Sequence, residues 1–581
     1  MKWILMRIVE SRSILPVIVF LLIAKIEYAL SPGVDTTAFV TSSILSRPTD
    51  NSVTLTVVPK KGLQLFYEYG TASSNYTFSC DVKTTAANVP VKTLINSLSP
   101  NTRYFYRIRY KDTSAARFEA GDEYTFITQR FKGSTYVFGI IADSHLYDKK
   151  GIPSMMKVTM QNLANARPDF VLDLGDTFGD DHQPTTITQA EMMKLHLNFM
   201  PYIGMVCHLS HFFFCLGNHE GESGYYLLQT PPDNLAVYGT LARKYYYANP
   251  YPDGFYTGNK EVENFGMGYP ENYYAWEWGD ALFVVLDVYR GYTANDKPQG
   301  WDWTIGTDQY YWLKQTLEQS NAKFKFVFTH HLSGQGRGAI KLARSFEWGG
   351  YENNGTTWGF TANRPGWPLP IHQLMVNNGV NIFFQGHDHL FAQEMLDGVV
   401  YQEVPMPSDS TYMIGMLANA DAYTSNQLNG SGNLLVTVSS EEAKVEYVRA
   451  FLPHDTSATQ HNAEVAFSYS VTPRIAAVQE RNVPARAVTL EQNYPNPFNP
   501  STDITFKTTE AGQVTLKVYD VLGRLAATLV DGYRQPGTYT TKFSIPDGST
   551  GRNCSSLVSG VYFYQLKVNE TILMKKAIFV K

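Results

Sequence analysis

Three observations predict a multidomain α/β plus β protein, with an α/β middle flanked by two small β-sandwiches. The chain has 581 residues, about four times the ~150-residue domain prior. Hydrophobic residues make up 44% and charged residues 17%, which fits folded units and excludes a disordered or fibrous chain. The patterning also changes twice along the chain, from short alternating runs to near-continuous apolar strands separated by amphipathic stretches, and back again.

Taken in order, residues 1–30 carry Lys2, Arg7 and Arg12 ahead of an apolar run at 14–24. That run is too short to span a bilayer, and charge followed by apolar sequence is the order of a secretory signal peptide. Residues 36–130 hold alternating runs at 53–58, 65–69, 104–110 and 123–128, with turn signals such as Pro48-Thr49-Asp50-Asn51 between them, the pattern of a β-sandwich. Residues 135–452 change to Val/Ile/Phe-rich strands expected at 136–142, 170–174, 212–216, 282–287, 324–329 and 382–385, with helices at 155–166 and 309–319. Strands buried on both faces read this way in α/β layouts. An aromatic-rich insert at 245–274 is expected to border the functional pocket, with most of its tyrosines packed. Residues 453–487 read as a linker holding one strand, and 488–581 as a second small β-sandwich with runs at 514–519, 537–543 and 561–568.

Composition narrows the function. Forty-eight basic against 53 acidic residues give a net charge of -5, so no basic excess exists to neutralise a phosphate backbone and nucleic acid is not the default partner. The four cysteines, Cys80, Cys207, Cys215 and Cys554, show no CxxC spacing, which argues against a zinc knuckle or a disulfide framework.

Metal-ligand side chains recur where the middle strands stop. Asp143-Ser144-His145 follows the first strand, Gly175-Asp176 the second, Gly217-Asn218-His219-Glu220 the third, Thr329-His330-His331 a later one and Gly386-His387-Asp388-His389 the last. In α/β sheets ligands collect at the carboxyl ends of strands. A lone histidine there would be unremarkable and a lone Gly-Asp would be a turn. Together they offer carboxylates, an amide oxygen and imidazoles without a thiolate, a donor set that suits iron, manganese or zinc.

The ordered motifs DxH, GD, GNHE, a strand-terminal His and GHxH resemble the calcineurin-like metallophosphoesterase superfamily. The resemblance implies a four-layer αββα sandwich with a binuclear centre of two divalent metal ions at the sheet edge. It implies Asp143, His145 and His389 on one ion, Asn218, His330 and His387 on the other, and Asp176 between them. His219 matches the superfamily histidine that contacts the phosphoryl group and serves as catalytic acid. Residues 36–130 resemble a fibronectin type III domain through Leu98-Ser99-Pro100-Asn101-Thr102-Arg103-Tyr104, and that domain ahead of this core is similar to the layout of purple acid phosphatases. Their ferric-binding tyrosine has no counterpart: His145 and Gly179 stand where those enzymes have glycine and tyrosine. The phrase Asn493-Tyr494-Pro495-Asn496-Pro497-Phe498-Asn499-Pro500 resembles the sorting domain of type IX secretion cargo, implying secretion machinery as a partner and a secreted or surface-bound bacterial protein.

The reading that follows is a secreted phosphomonoesterase acting on a small-molecule phosphoester. A phosphodiesterase or nucleotidase would use the same residues, and a surface binding protein with an inactive core is the reading from another class. Oligomeric state is open.

Overall fold

The computed structural model describes residues 35–146, 151–178, 186–292, 297–333, 336–414, 420–474, 488–508, 511–544, 558–569 and 571–581. The signal segment, Gly179, Cys554 and 475–487 of the expected linker lie outside the described residues. The chain divides into two compact units, Met1–Ala477 and Val478–Lys581.

The first unit is built on two mixed sheets. In the nine-stranded sheet Tyr136–Ile141, Phe170–Asp173 and His211–Phe214 run parallel, and Ser431–Val438 pairs antiparallel with Tyr136–Ile141. In the eight-stranded sheet Ala281–Val285, Phe324–Phe328, Ile382–Gln385 and Val399–Glu403 run parallel. The apolar core contains residues of both sheets, among them Phe138, Phe170 and Phe213 from one and Trp276, Phe283, Phe328 and Phe384 from the other. Helices Pro153–Ala166, Gln189–Cys207 and Leu235–Tyr246 contribute to a second core with the first sheet, and Thr307–Gln319 and Ile371–Asn377 to a third with the second. This is the αββα order the motifs imply: near-continuous apolar strands need cover on both faces, and the helices supply the outer cover.

Two expected boundaries are not breaks. The N-terminal segment does form a β-sandwich, but its strands Ile44–Ser46, Val53–Val57 and Val91–Ile95 continue the nine-stranded sheet, Ser46 pairing parallel with Phe212. Tyr106 donates its hydroxyl hydrogen to the His208 carbonyl at 2.8 Å, and Tyr256 does the same to the Pro48 carbonyl. In the stretch expected as a linker, Val465–Val471 extends the sheet beyond Ala443–Ala450. Within the aromatic insert Tyr247, Tyr256, Tyr273 and Tyr274 are buried. Cys207 and Cys215 are both buried free thiols.

In the second unit the sheet Val488–Leu490, Ser501–Thr508, Gly537–Ser544 shares a core with the sheet Leu525–Arg534, Gly512–Asp520, Gly560–Val568, Thr571–Phe579. The Asn-Tyr-Pro phrase is structural there. Asn493 is buried, with its side-chain amide donating to the Pro495 carbonyl and the Thr502 hydroxyl, and Phe498 sits in the core.

Candidate metal centre

All five strand-end motifs arrive at one place, because the strands that carry them end on the same side of the two sheets. Past the strand ends the backbones stay paired: the Asp143 amide donates to the Gly175 carbonyl at 2.8 Å, His145 to Asp176 at 3.0 Å and Gly386 to His330 at 2.9 Å. Such close approach needs glycine. A Cβ on Gly175 would lie 2.2 Å from the Gly217 nitrogen, one on Gly217 2.3 Å from an Asp176 carboxylate oxygen, and one on Gly386 2.6 Å from an Asp143 oxygen. The chain then turns sharply through left-handed conformations at residues that are not glycine: Asp143 (φ 59°), His145 (40°), Asp176 (54°), His387 (79°) and His389 (61°). These conformations are sparsely populated and persist where surrounding structure enforces them, typically at functional sites.

The side chains converge in three overlapping groups: Asp143 with His145 and His389, His145 with Asp176 and His219, and Asp176 with His330 and His387. His330 Nε2 lies 3.1 Å from Asp176 Oδ2, 3.2 Å from His387 Nδ1 and 3.8 Å from Asp143 Oδ1. His389 Nε2 lies 3.4 Å from Asp143 Oδ1 and 3.0 Å from His145 Nε2. Asp143, Asp176 and His330 are buried and form the floor, whereas Asn218, His219, His387 and His389 are partly exposed and form the rim. The Leu174 carbonyl can only accept, so the His330 Nδ1 at 2.9 Å donates to it and Nε2 is the atom turned to the centre.

The donors fit a cation. Among the described residues the buried oxygens Asp143 Oδ1 and Asn218 Oδ1 and the His389 Nδ1 have no hydrogen-bond partner, an expense a fold avoids unless another ligand satisfies the atom. Burial opposes charge throughout, but neighbours overrule it at the floor. His389 and His330 hold Asp143 below the usual carboxylate range, and His330, His219 and His145 hold Asp176 well below it. Burial would lower His330, yet Asp176 and Asp143 push it up to about 10. At His145, which is also buried, and at His387 burial prevails: it pushes His145 down to about 4 and His387, beside His331 and His330, well below its ordinary value. The floor carboxylates thus attract positive charge, while His145 and His387 stay neutral, the form in which an imidazole can ligate a metal.

The sequence offered no role for several residues that brace this cluster. Glu220 is fully buried and accepts from the amides of Asp176 (3.0 Å), Thr177 (2.9 Å) and Gly217 (2.6 Å) and from the Thr177 hydroxyl (2.7 Å). Asp388, between the two histidines of the last motif, accepts from Arg337, the Gly338 amide and the Tyr423 hydroxyl. Arg337 also donates to the His387 carbonyl at 2.6 Å. Glu220 and Asp388 lie inside the motifs and could have been singled out; Arg337 and Tyr423 are too distant in sequence to leave a signal.

Residues 136–391 match the calcineurin-like phosphoesterase family, and residues 492–581 match the secretion system C-terminal sorting domain. The chain carries a calcineurin-like phosphoesterase domain. It is a metal-dependent phosphoester hydrolase that takes divalent ions, and its sorting domain makes it a secreted or cell-surface bacterial protein that engages a secretion machinery. Among solved structures, PhoD is similar at 14% identity over 75% of this chain and 91% of its own, with a TM-score of 0.54. A purple acid phosphatase, PPD1 from yellow lupin (Lupinus luteus) seeds, aligns at 14% identity over 74% of each chain with a TM-score of 0.49. No curated protein matches the chain. Among the described residues no helix is long and apolar enough to cross a membrane.

Proposed function

We propose that the phosphoesterase is a phosphomonoesterase with a binuclear centre, in which Asp143, His145 and His389 hold one divalent ion, Asn218, His330 and His387 the other, and Asp176 both. The observation that carries this is the overlap of the donor groups: Asp176 and His145 each belong to two of them. The ions, drawn from iron, manganese or zinc, would supply Lewis-acid polarisation of a phosphoryl oxygen and an activated water.

The chain's own residues would do the rest. Asp176 has one oxygen fixed by the His219 amide at 2.8 Å, which leaves the other toward the centre. His219, with its side chain 14% exposed at the rim and Nε2 3.8 Å from Asp176 Oδ2, is placed to give a proton to the departing alkoxide. The rim side chains Asn218, His219, His387 and His389 include no carboxylate, which leaves the entering dianion uncrowded by fixed anions at the mouth. A monoester brings two charges and an extra terminal oxygen to such a site, so phosphoryl contacts should dominate and leaving-group selectivity should be weak.

The test is to measure kcat/KM for an aryl phosphate and the corresponding bis-aryl phosphate with manganese, zinc and iron across pH, counting bound metal per chain. The monoester should be preferred, with an optimum nearer neutral than strongly acidic and about two metals bound. A diester preference would instead establish a phosphodiesterase.

A further inference from the structure

Outside the metal centre the first unit holds a cleft of about 780 Å³, a size typical of small-molecule sites. Residues of 343–373 form most of its wall, and Leu396 and Asp397 close it. Ile382 pairs with Val400 and Gln385 with Glu403, which sets Asp397 beyond the amino end of the strand whose carboxyl end carries His387 and His389. None of the proposed metal ligands lines it.

Its aromatic wall is fixed yet exposed. Trp358 is 49% exposed and Tyr351 37%. The Trp358 ring is held edge-on to Tyr351 at 5.2 Å and tilted against Phe360 at 5.9 Å, and its indole N–H is spent on the Thr361 hydroxyl at 3.1 Å. Gly350, at φ 90°, gives the ring its seat, since a Cβ there would fall 2.4 Å from the indole. A large ring immobilised in water costs free energy that a swinging side chain would avoid, and it presents a ready stacking face.

The polar groups of the cleft balance to neutrality. Arg364 is committed to the buried Glu347 at 2.9 Å. Burial lowers the pKa of His372, which bonds Tyr401 and Asp397. What remains is the exposed Arg344 guanidinium, which makes no hydrogen bond to another described residue, and the Asp397 carboxylate, 63% exposed. One cation and one anion offer little to a phosphorylated or polyanionic ligand. Planar multidentate groups in the same cleft as an aromatic face do suit vicinal hydroxyls on a ring whose C–H face can lie on the indole.

We propose that this cleft binds a neutral oligosaccharide, one pyranose ring stacking on Trp358 and its hydroxyls bonding Arg344 and Asp397. A proline-rich peptide is disfavoured, because the exposed rings of this cleft, Trp358 and Tyr351, are set edge to face rather than as parallel ridges.

The test is calorimetric titration of the full chain with cellohexaose, mannohexaose, laminarihexaose and chitohexaose, alongside decaproline. At least one hexasaccharide should bind, and Trp358→Ala and Arg344→Ala should each weaken it at least tenfold, with thermal unfolding and aryl phosphate turnover unchanged. Silence from all four sugars, sugar binding that survives Trp358→Ala, or Trp358-dependent binding of decaproline would overturn the proposal.

Discussion

Within the site strands, rings stack in ordinary extended backbone: Phe138 on Phe170 at 5.3 Å, Phe328 on Phe384 at 5.0 Å. A few residues further on, the same strands carry buried charge and left-handed backbone at Asp143, Asp176, His387 and His389. One stretch is all favourable packing; the next concentrates strain, desolvated carboxylates and unsatisfied oxygens. The difference teaches that the site is tolerated because the scaffold beneath it is stiff, and that substitutions in the two regions should separate stability from activity.

The sharpest break comes at Asp176. Asp176→Asn removes the charge that would balance two neighbouring dications, so bound metal and hydrolysis should both be lost while thermal stability holds or rises. Full metal content in that variant, read by elemental analysis, would take Asp176 out of the centre. His219→Ala should keep the metals and lower kcat by ~10² to 10⁴; metal loss instead would make His219 a ligand. On the other side, Phe328→Ala should cost about 3–5 kcal/mol of stability by opening a cavity in the ring stack. At a temperature where that variant is still folded, kcat should be close to the parent's, and a collapse of kcat there would show that the two regions are not separable.

Glu220 tests the join between them. Glu220→Gln replaces an acceptor-only carboxylate with a group that turns an N–H₂ toward backbone donors, so metal affinity or activity should fall ~10 to 100-fold. Equal affinity by competition with a chelator would reduce Glu220 to a packing residue.

The smallest effect lies in the core around His196, which is fully buried between Phe178 and Tyr247 with neither ring nitrogen bonded to a described residue. Burial, only partly offset by Glu222, pushes its pKa down to about 3. The unfolded chain therefore takes up a proton as pH falls through about 6.5 that the native state refuses until about pH 3, so stability declines across that window. In His196→Phe this contribution is absent, and the Tm difference between variant and parent should widen between pH 7 and pH 4. Parallel curves would show that another group sets the acid limit.

Much of this was legible because the strongest signals are local. The strand expected at 382–385 is Ile382–Gln385, and the helix expected at 309–319 is Thr307–Gln319; long apolar runs and helical periodicity leave few alternatives. The convergence of the candidate side chains could be anticipated because each motif follows its strand directly. The helix Gln189–Cys207 went unremarked: Pro201 interrupts its pattern, although Thr188 and Glu191 form a capping box. The continuation of the sheet through Ile44–Ser46 rests on a non-local pairing that no local pattern encodes. Nor could the pattern foresee that Arg337, Tyr423 and Asp388 meet.

That continuation bears on how the chain can be made. The strand Ile44–Ser46 is synthesised early, but its parallel neighbour His211–Phe214 emerges far later, so the N-terminal sandwich must hold an open edge until the middle of the chain arrives. Non-local parallel pairing is slow to form, and an unpaired edge recruits copies of itself. Cutting the chain at residue 130 would not release a neat module: it would bare the edge of His211–Phe214 that Ile44–Ser46 covers. The join therefore ties the solubility of the catalytic unit to the presence of the sandwich, and an expression trial of residues 131–477 should give aggregates where residues 35–477 give soluble enzyme.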